Sequence, residues 1–450
     1  MHRDGRIGQW LGGAPPYLFV GFAIAVSFST YFCMYAFRKP FAAGTYEGYG
    51  SFAGLEFKSA LVISQIIGYA ASKYVGIKVC SEVSDRRRAG TLVVLISSAQ
   101  LALIAFALAP PNLKIIAIFL NGLPLGMVWG LVVRYLEGRQ LTELLLAGLS
   151  CSYILASGIV KDIGLAWIAA GVPESWMPSV TGACFLPLFL ASVWLLNQIP
   201  PPNESDVLSR VERPPMSRRD RRRFTLQFWP GLTMLFIAYV LLTAYRDFRD
   251  NYGIEIFTSL GYGETPAIFA RSEIPVAFGV MVTIAALNLI RNHRRGLVVT
   301  YAVMTTGVLM LGGSTLALDA GWLTGHEVWW MILVGLGAYL AYVPYNAALF
   351  ERVICSTRAV GTAVFAIYVA DALGYTGSVA VQIYKDLAEP GVSRFEFFRL
   401  FTYVVSGVGA AMLLASGWYF VSHPGNDNAY DAGSESRSEE AGKEGASSLS

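Results

Sequence analysis

Along the chain, long apolar runs alternate with short charged connections. Twelve runs stand out, at about 16–39, 57–79, 89–109, 112–136, 141–168, 175–198, 226–249, 266–290, 296–318, 327–350, 359–384 and 398–421. A helix of about 20 apolar residues crosses about 30 Å of hydrocarbon, and in lipid only a helix or a closed barrel satisfies its own backbone. The pattern therefore predicts an all-α membrane protein of twelve transmembrane helices.

The longest polar interruption, 199–225, is rich in proline and carries seven arginines. It divides six runs from six, which predicts two six-helix halves rocking about a shared cavity. The expected organisation is an N-terminus at 1–15, a first half at 16–198, a linker at 199–225, a second half at 226–421 and a disordered polar tail at 422–450. An even number of spans puts both termini on one side. The loops on that side hold the larger share of Lys and Arg, which predicts cytoplasmic termini in a bacterial inner (plasma) membrane. The first run is too long for the apolar core of a cleaved signal and is read as a retained span. The linker arginines are read as a topology-fixing surface beside anionic lipid, not as a nucleic-acid site.

Composition strengthens this picture. Apolar residues make up 54% of the chain and charged residues 14%, and the mean hydropathy is +0.50, outside the range of soluble globular domains. The five cysteines lack CxxC spacing and read as small buried hydrophobes. All four histidines, His2, His293, His326 and His423, fall in termini or loops, so none is placed to relay protons in the core. No metal site, cofactor motif or catalytic signature appears, and the chain is not expected to be an enzyme.

Charges inside spans carry the functional signal, because each costs roughly 2.5–3.5 kcal/mol on insertion scales unless it faces a cavity or a partner. Arg38 and Lys39 end the first run, in YAFRKPF, and Lys73 lies in the second. Lys161 and Asp162 lie in the fifth, Arg246, Asp247, Arg249 and Asp250 in the seventh, Glu273 in the eighth and Asp371 in the eleventh. AFRKPFAAGTY at 36–46 is echoed by DFRDNYGIEIF at 247–257, and EVSDRRRAG at 82–90 by IRNHRRG at 290–296. Two arginines on equivalent helices suit a bidentate anion clamp, made by Arg38 with either Arg246 or Arg249. The competing reading has these cations snorkel or pair with Asp247 and Asp250. Lys39 reads as structural, Lys161-Asp162 as a local ion pair, and Asp371, Glu273 and Asp162 as cavity or coupling carboxylates. Asp85 and Arg86 read as a gating loop.

These segments resemble the major facilitator superfamily, and within it the organophosphate:phosphate antiporters. Tyr35-Ala-Phe-Arg38-Lys39 is similar to that family's first-helix signature, Ser72-Lys73 to its second-helix pair and Val83-Ser84-Asp85-Arg86 to its loop motif. Asn121-Gly122, Gly126-Met127-Val128-Trp129 and Arg134 resemble its fourth helix; Gly361-Thr362-Ala363 and Gly374-Tyr375-Thr376-Gly377-Ser378 resemble its eleventh. The chain departs from it where Tyr153 replaces a fifth-helix histidine and where Glu273 stands closer to Ile274-Pro275 than the family's glutamate does. The resemblance implies a monomeric transporter working by alternating access, with Tyr35, Arg38, Lys73 and Arg246 or Arg249 binding a small anion such as an organophosphate or phosphate, exchanged for a counter-anion or coupled to protons. A proton-coupled transporter of another solute and a membrane sensor on the same fold are the alternative expectations.

Overall fold

The computed structural model describes residues 6–139, 141–202, 206, 218–290, 292–357 and 363–422. Most of the linker, the tail beyond 422 and the Gly361-Thr362 step lie outside the described residues. The long helices are α1 Pro16–Tyr35, α2 Phe57–Glu82, α3 Arg88–Leu108, α4 Pro111–Leu125, α5 Thr142–Ala169 and α6 Met177–Leu196. They continue as α7 Arg218–Asn251, α8 Ile268–Asn288, α9 His293–Asp319, α10 Val328–Pro344, α11 Ala363–Ala388 and α12 Arg394–Ser422. After short breaks, α4 runs on as Val128–Val133 and α10 as Phe350–Thr357.

Among the described residues ten helices are long and apolar enough to cross a membrane. The other two long helices, α2 and α11, have 26 residues each. Their apolarity is lowered by Lys58 and Lys73 in α2 and by Asp371, Lys385 and Asp386 in α11. An all-α membrane fold is the result.

The first span ends earlier than its apolar run. Pro40 has no N–H to donate and disfavours helix in the residue before it, so α1 stops at Tyr35 and Ala36–Lys39 form tight turns leading into a 3-10 helix, Pro40–Ala43. This segment is nonetheless buried from Ala36 to Ala43. In α7, Phe228 leaves helical geometry (φ −113°, ψ 16°) two residues before Pro230 and kinks the helix.

One buried apolar cluster is built from α1–α6 and a second from α7–α12. Side chains cross over between them: among the buried members Ile154 of α5 packs into the second cluster and Tyr375 of α11 into the first, and partly buried neighbours such as Leu155 and Val379 do the same. The clusters meet along two seams, α5 against α8 and α2 against α11. Within the first cluster α2 and α4 approach backbone to backbone: a Cβ on Gly122 would stand 2.6 Å from the Gln65 carbonyl oxygen, and one on Gly126 2.6 Å from that of Tyr69. Small residues at such crossings let membrane helices pack by van der Waals contact. At the end of the bundle where α1 and α7 finish, here called outer, strands β1 Ser51–Phe52 and β2 Leu55–Glu56 form a hairpin. Ala53 and Gly54 both take positive φ there, as a two-residue turn of that type requires.

Candidate functional site

Ending α1 at Tyr35 frees backbone carbonyls inside the protein, and neighbouring helices satisfy them. Asn121 Nδ2 donates to the Phe37 carbonyl (3.0 Å) and Gln65 Nε2 to the Arg38 carbonyl (2.8 Å), while Gln65 also donates to Asn121 Oδ1 (2.9 Å). This network of α2 and α4 side chains fixes the turn that carries Arg38. Its guanidinium lies 3.8 Å from the centre of the Tyr69 ring and 5.6 Å from that of Tyr35. The residue is 8% exposed and its Nε has no hydrogen-bond partner. Among the described residues no carboxylate stands within ion-pair distance of Arg38.

Arg246 faces the same place from α7. Its guanidinium sits 4.1 Å over the Tyr342 ring and Nη2 donates to Asp247 Oδ1 at 2.9 Å. Tyr35 and Tyr375 are each within electrostatic range of both Arg38 and Arg246, so the two arginines converge on shared tyrosines. Arg249 is held elsewhere: Nη1 bonds Glu273 Oε1 at 2.7 Å and Nη2 the Met331 carbonyl at 2.9 Å. It also presses on α10, where a Cβ on Gly335 would stand 2.6 Å from Nη2. Glu273 is thus bound to Arg249. Of the two arginines that the sequence leaves equivalent, Arg246 adjoins the tyrosines around Arg38 and Arg249 ties α7 to α8 and α10.

Lys73 and Asp371 form an ion pair across the α2–α11 seam. Tyr239 donates to Asp371 Oδ1 (2.5 Å), and its oxygen lies 3.0 Å from the Tyr342 hydroxyl. A hydroxyl has one proton to give, so with Asp371 taking that of Tyr239, Tyr342 donates to Tyr239. This line links Asp371 to the ring beneath Arg246.

Toward the outer end, further contacts cross between the two clusters. Lys39 Nζ is 2.5 Å from Asp250 Oδ2 and 2.9 Å from Asn251 Oδ1. Lys161 reaches Asp250 Oδ1 at 2.8 Å, and Ser157 donates to the same oxygen. Lys58 pairs with Glu255, and Ser59 and Tyr252 share a hydroxyl–hydroxyl bond of 2.7 Å. Arg394 binds Glu56 at 2.8 Å and Asp386 at 2.6 Å. The expected local pair Lys161-Asp162 does not form: successive helical residues point apart. Asp162 instead accepts from the amides of Phe269 (3.2 Å) and Ala270 (2.7 Å) at the start of α8, where free N–H groups favour a carboxylate. Lys39, read as structural, is a bridge between the two clusters.

In the loop after α2, Asp85 pairs with Arg88, which also donates to the Arg134 carbonyl (3.0 Å) and lies 4.7 Å over the Tyr135 ring; Arg86 is exposed. These contacts join α2, α3 and α4 within one half.

Among the tyrosines, sequence reasoning gave a binding role to Tyr35 alone. Tyr69 and Tyr375 meet across the seam at 5.7 Å, and Tyr153 stands between Trp129 (6.0 Å) and Tyr339 (6.4 Å). Their signal was spacing: Tyr31 with Tyr35, and Tyr339 with Tyr342, lie one helical turn apart inside apolar spans. Among the described residues no group of three His, Cys, Asp or Glu side chains is placed to hold a metal ion.

The fold is similar to that of a D-xylose–proton symporter, with a TM-score of 0.60 and 14% identity over 90% of this chain and 98% of that one. The nucleoside transporter NupG is similar at 0.59 and 12% identity, covering 88% and 98%. A bacterial homologue of the human lysosomal transporter Spinster, solved inward-facing and unoccupied, gives 0.58 and 13%, covering 92% and 100%. At 12–14% identity these likenesses show the fold alone, and nothing in them reaches the organophosphate antiporters. No curated protein matches the chain in sequence. Residues 40–423 match a family described as one of unknown function, DUF5690, and the chain belongs to that family.

Proposed function

We propose that the protein is a secondary transporter that carries a small anion through a plasma membrane by alternating access, with Arg38 as the anchor and Arg246 completing the site. The observation that carries this reading is Arg38 itself. A buried guanidinium is costly in a low-dielectric interior unless a partner compensates it, and Lys39, Lys73 and Lys161 each meet a carboxylate while Arg38, among the described residues, meets aromatic faces and no carboxylate. A bound anion supplies the missing charge, and phosphate or organophosphate oxygens suit the guanidinium fork. With that charge in place the rocking of one half against the other becomes less costly.

A second reading has one observation in its favour. Asp371 has Lys73 and Tyr239 as its hydrogen-bond and ion-pair partners among the described residues, and opening of the α2–α11 seam would free it for proton exchange. That would couple the same movement to protons, as the name of the D-xylose–proton symporter says of that protein.

Thermal unfolding of the purified protein in phosphate, organophosphates, carboxylates and neutral solutes at equal ionic strength tests the proposal. Stabilisation by anions and not by neutral solutes is expected, and stabilisation by neutral solutes alone rejects it. Flux into liposomes then separates a transporter from a sensor.

A further inference from the structure

A cavity of about 450 Å³ runs along the α2–α11 seam, within the size range of small-molecule sites. Its walls are Ile66, Ile67, Ala70, Tyr368, Ala372 and Val379, and its charged floor is the Lys73–Asp371 pair beside Tyr375. Every lining residue belongs to α2 or α11. Neither α1 with the turn after it, which carries Arg38, nor α7, which carries Arg246, contributes one. Ile67 is 47% and Tyr368 44% exposed. In a bundle that lipid surrounds, a groove built this way opens sideways into hydrocarbon, not along the central axis.

Two properties of the groove point to its occupant. Its walls are apolar at membrane depth, which suits an alkyl chain. Its inner end holds the Lys73–Asp371 pair with an unpaired cation behind it: Lys73 lies 5.8 Å from the Tyr69 ring, and the Arg38 guanidinium lies 3.8 Å from the same ring. Arg38, Lys73 and Asp371 together leave one positive charge, which complements a single negative head. We propose that the α2–α11 groove is a lateral binding site for single-chain anionic amphiphiles, the chain lying against Ile67 and Tyr368 and the head drawn toward Lys73 and Arg38. Tyr375, in contact with Tyr69 at 5.7 Å, is the partition between groove and central site. This deepens the anion reading above and rests on it only for the role of Arg38.

The test uses the full chain in phosphatidylcholine nanodiscs with a diazirine-bearing stearate, its cross-links mapped by mass spectrometry. Labelling is expected to concentrate on groove residues of α2 and α11. Laurate should compete at a concentration at least about tenfold lower than monolaurin does. Ala71→Trp and Ala372→Phe, which fill the groove from opposite walls, should each remove the labelling; two variants are used so that a failure of one to fold leaves the other. Lys73→Gln, which leaves Asp371 to cancel the charge of Arg38, should abolish the preference for laurate over monolaurin. Even labelling around the lipid-facing surface, or equal competition by the two amphiphiles, overturns the proposal. Stabilisation by inorganic phosphate that depends on Arg38, without groove labelling, overturns this inference alone; groove labelling without any such stabilisation overturns the central anion site alone.

Discussion

Lys39, in the turn after α1, and Asp250 of α7 bridge the two clusters, Nζ 2.5 Å from Oδ2, and they occupy matching places in the echoed segments, Phe37-Arg38-Lys39 and Phe248-Arg249-Asp250. The pairing has a consistent polarity. Lys39, Lys58, Lys73 and Lys161 of the first six helices meet Asp250, Glu255 and Asp371 of the second part of the chain. Arg394 with Glu56 runs the other way. Opening the outer end would expose lysines on one wall and carboxylates on the other.

Asp250 alone holds both Lys39 and Lys161, so Asp250→Asn should release the outer end. Removing one partner of a buried ion pair costs about 3–5 kcal/mol, here charged to the closed state. In a cysteine-free background carrying Ser59→Cys, a membrane-impermeant maleimide should react at least about tenfold faster when Asp250→Asn is added. An unchanged rate would mean that Asp250 is no latch.

The two α7 arginines should separate. Arg249→Met leaves buried Glu273 without its partner and should destabilise the fold by about 3–5 kcal/mol. Arg246→Met, with Asp247 beside it and a ring beneath, should lower the melting temperature less and weaken anion binding more. Thermal melts and anion titrations on both variants check this, and the opposite ranking would return Arg249 to the binding site.

Lys73 and Asp371 should behave as a coupled pair. Lys73→Met and Asp371→Asn should each destabilise, and the double variant should be more stable than their sum predicts by about 1–3 kcal/mol. Additive effects in denaturant titrations would show that the pair contributes nothing as a pair.

Glycine substitutions test the α2–α4 contact. Gly122→Ala drives a Cβ to 2.6 Å from the Gln65 carbonyl and should cost about 1–3 kcal/mol. Gly313→Ala in α9, with nothing within 4 Å of the added atom, should be neutral or stabilising by up to about 1 kcal/mol. Melting temperatures that fall equally in both would remove close approach as the reason for Gly122.

The spans were legible because hydropathy is a local property, and Arg38 was legible because a cation in an apolar run violates that property. Partners were not. Lys39 finds Asp250 and Lys73 finds Asp371 across hundreds of residues, and a single chain read in order contains no distance between them. Local chemistry even misled: Lys161-Asp162 looked like a pair, yet adjacent helical positions diverge, and Lys161 bonds Asp250 of α7 while Asp162 bonds the start of α8. The end of α1 was misplaced because Ala36–Ala43 is apolar enough to read as helix, while Pro40 made it a turn. Tyr35 was named through its place beside Arg38, but Tyr69 and Tyr342 were given no role because an aromatic in a span is ordinary until a guanidinium lies on it.

Inorganic phosphate titrated into purified wild type and Arg38→Lys tests the central claim most directly. The account predicts that the lysine, a point charge without the planar fork, binds phosphate at least about tenfold more weakly while its melting temperature stays close to that of the wild type. Equal affinity in the two proteins would contradict it.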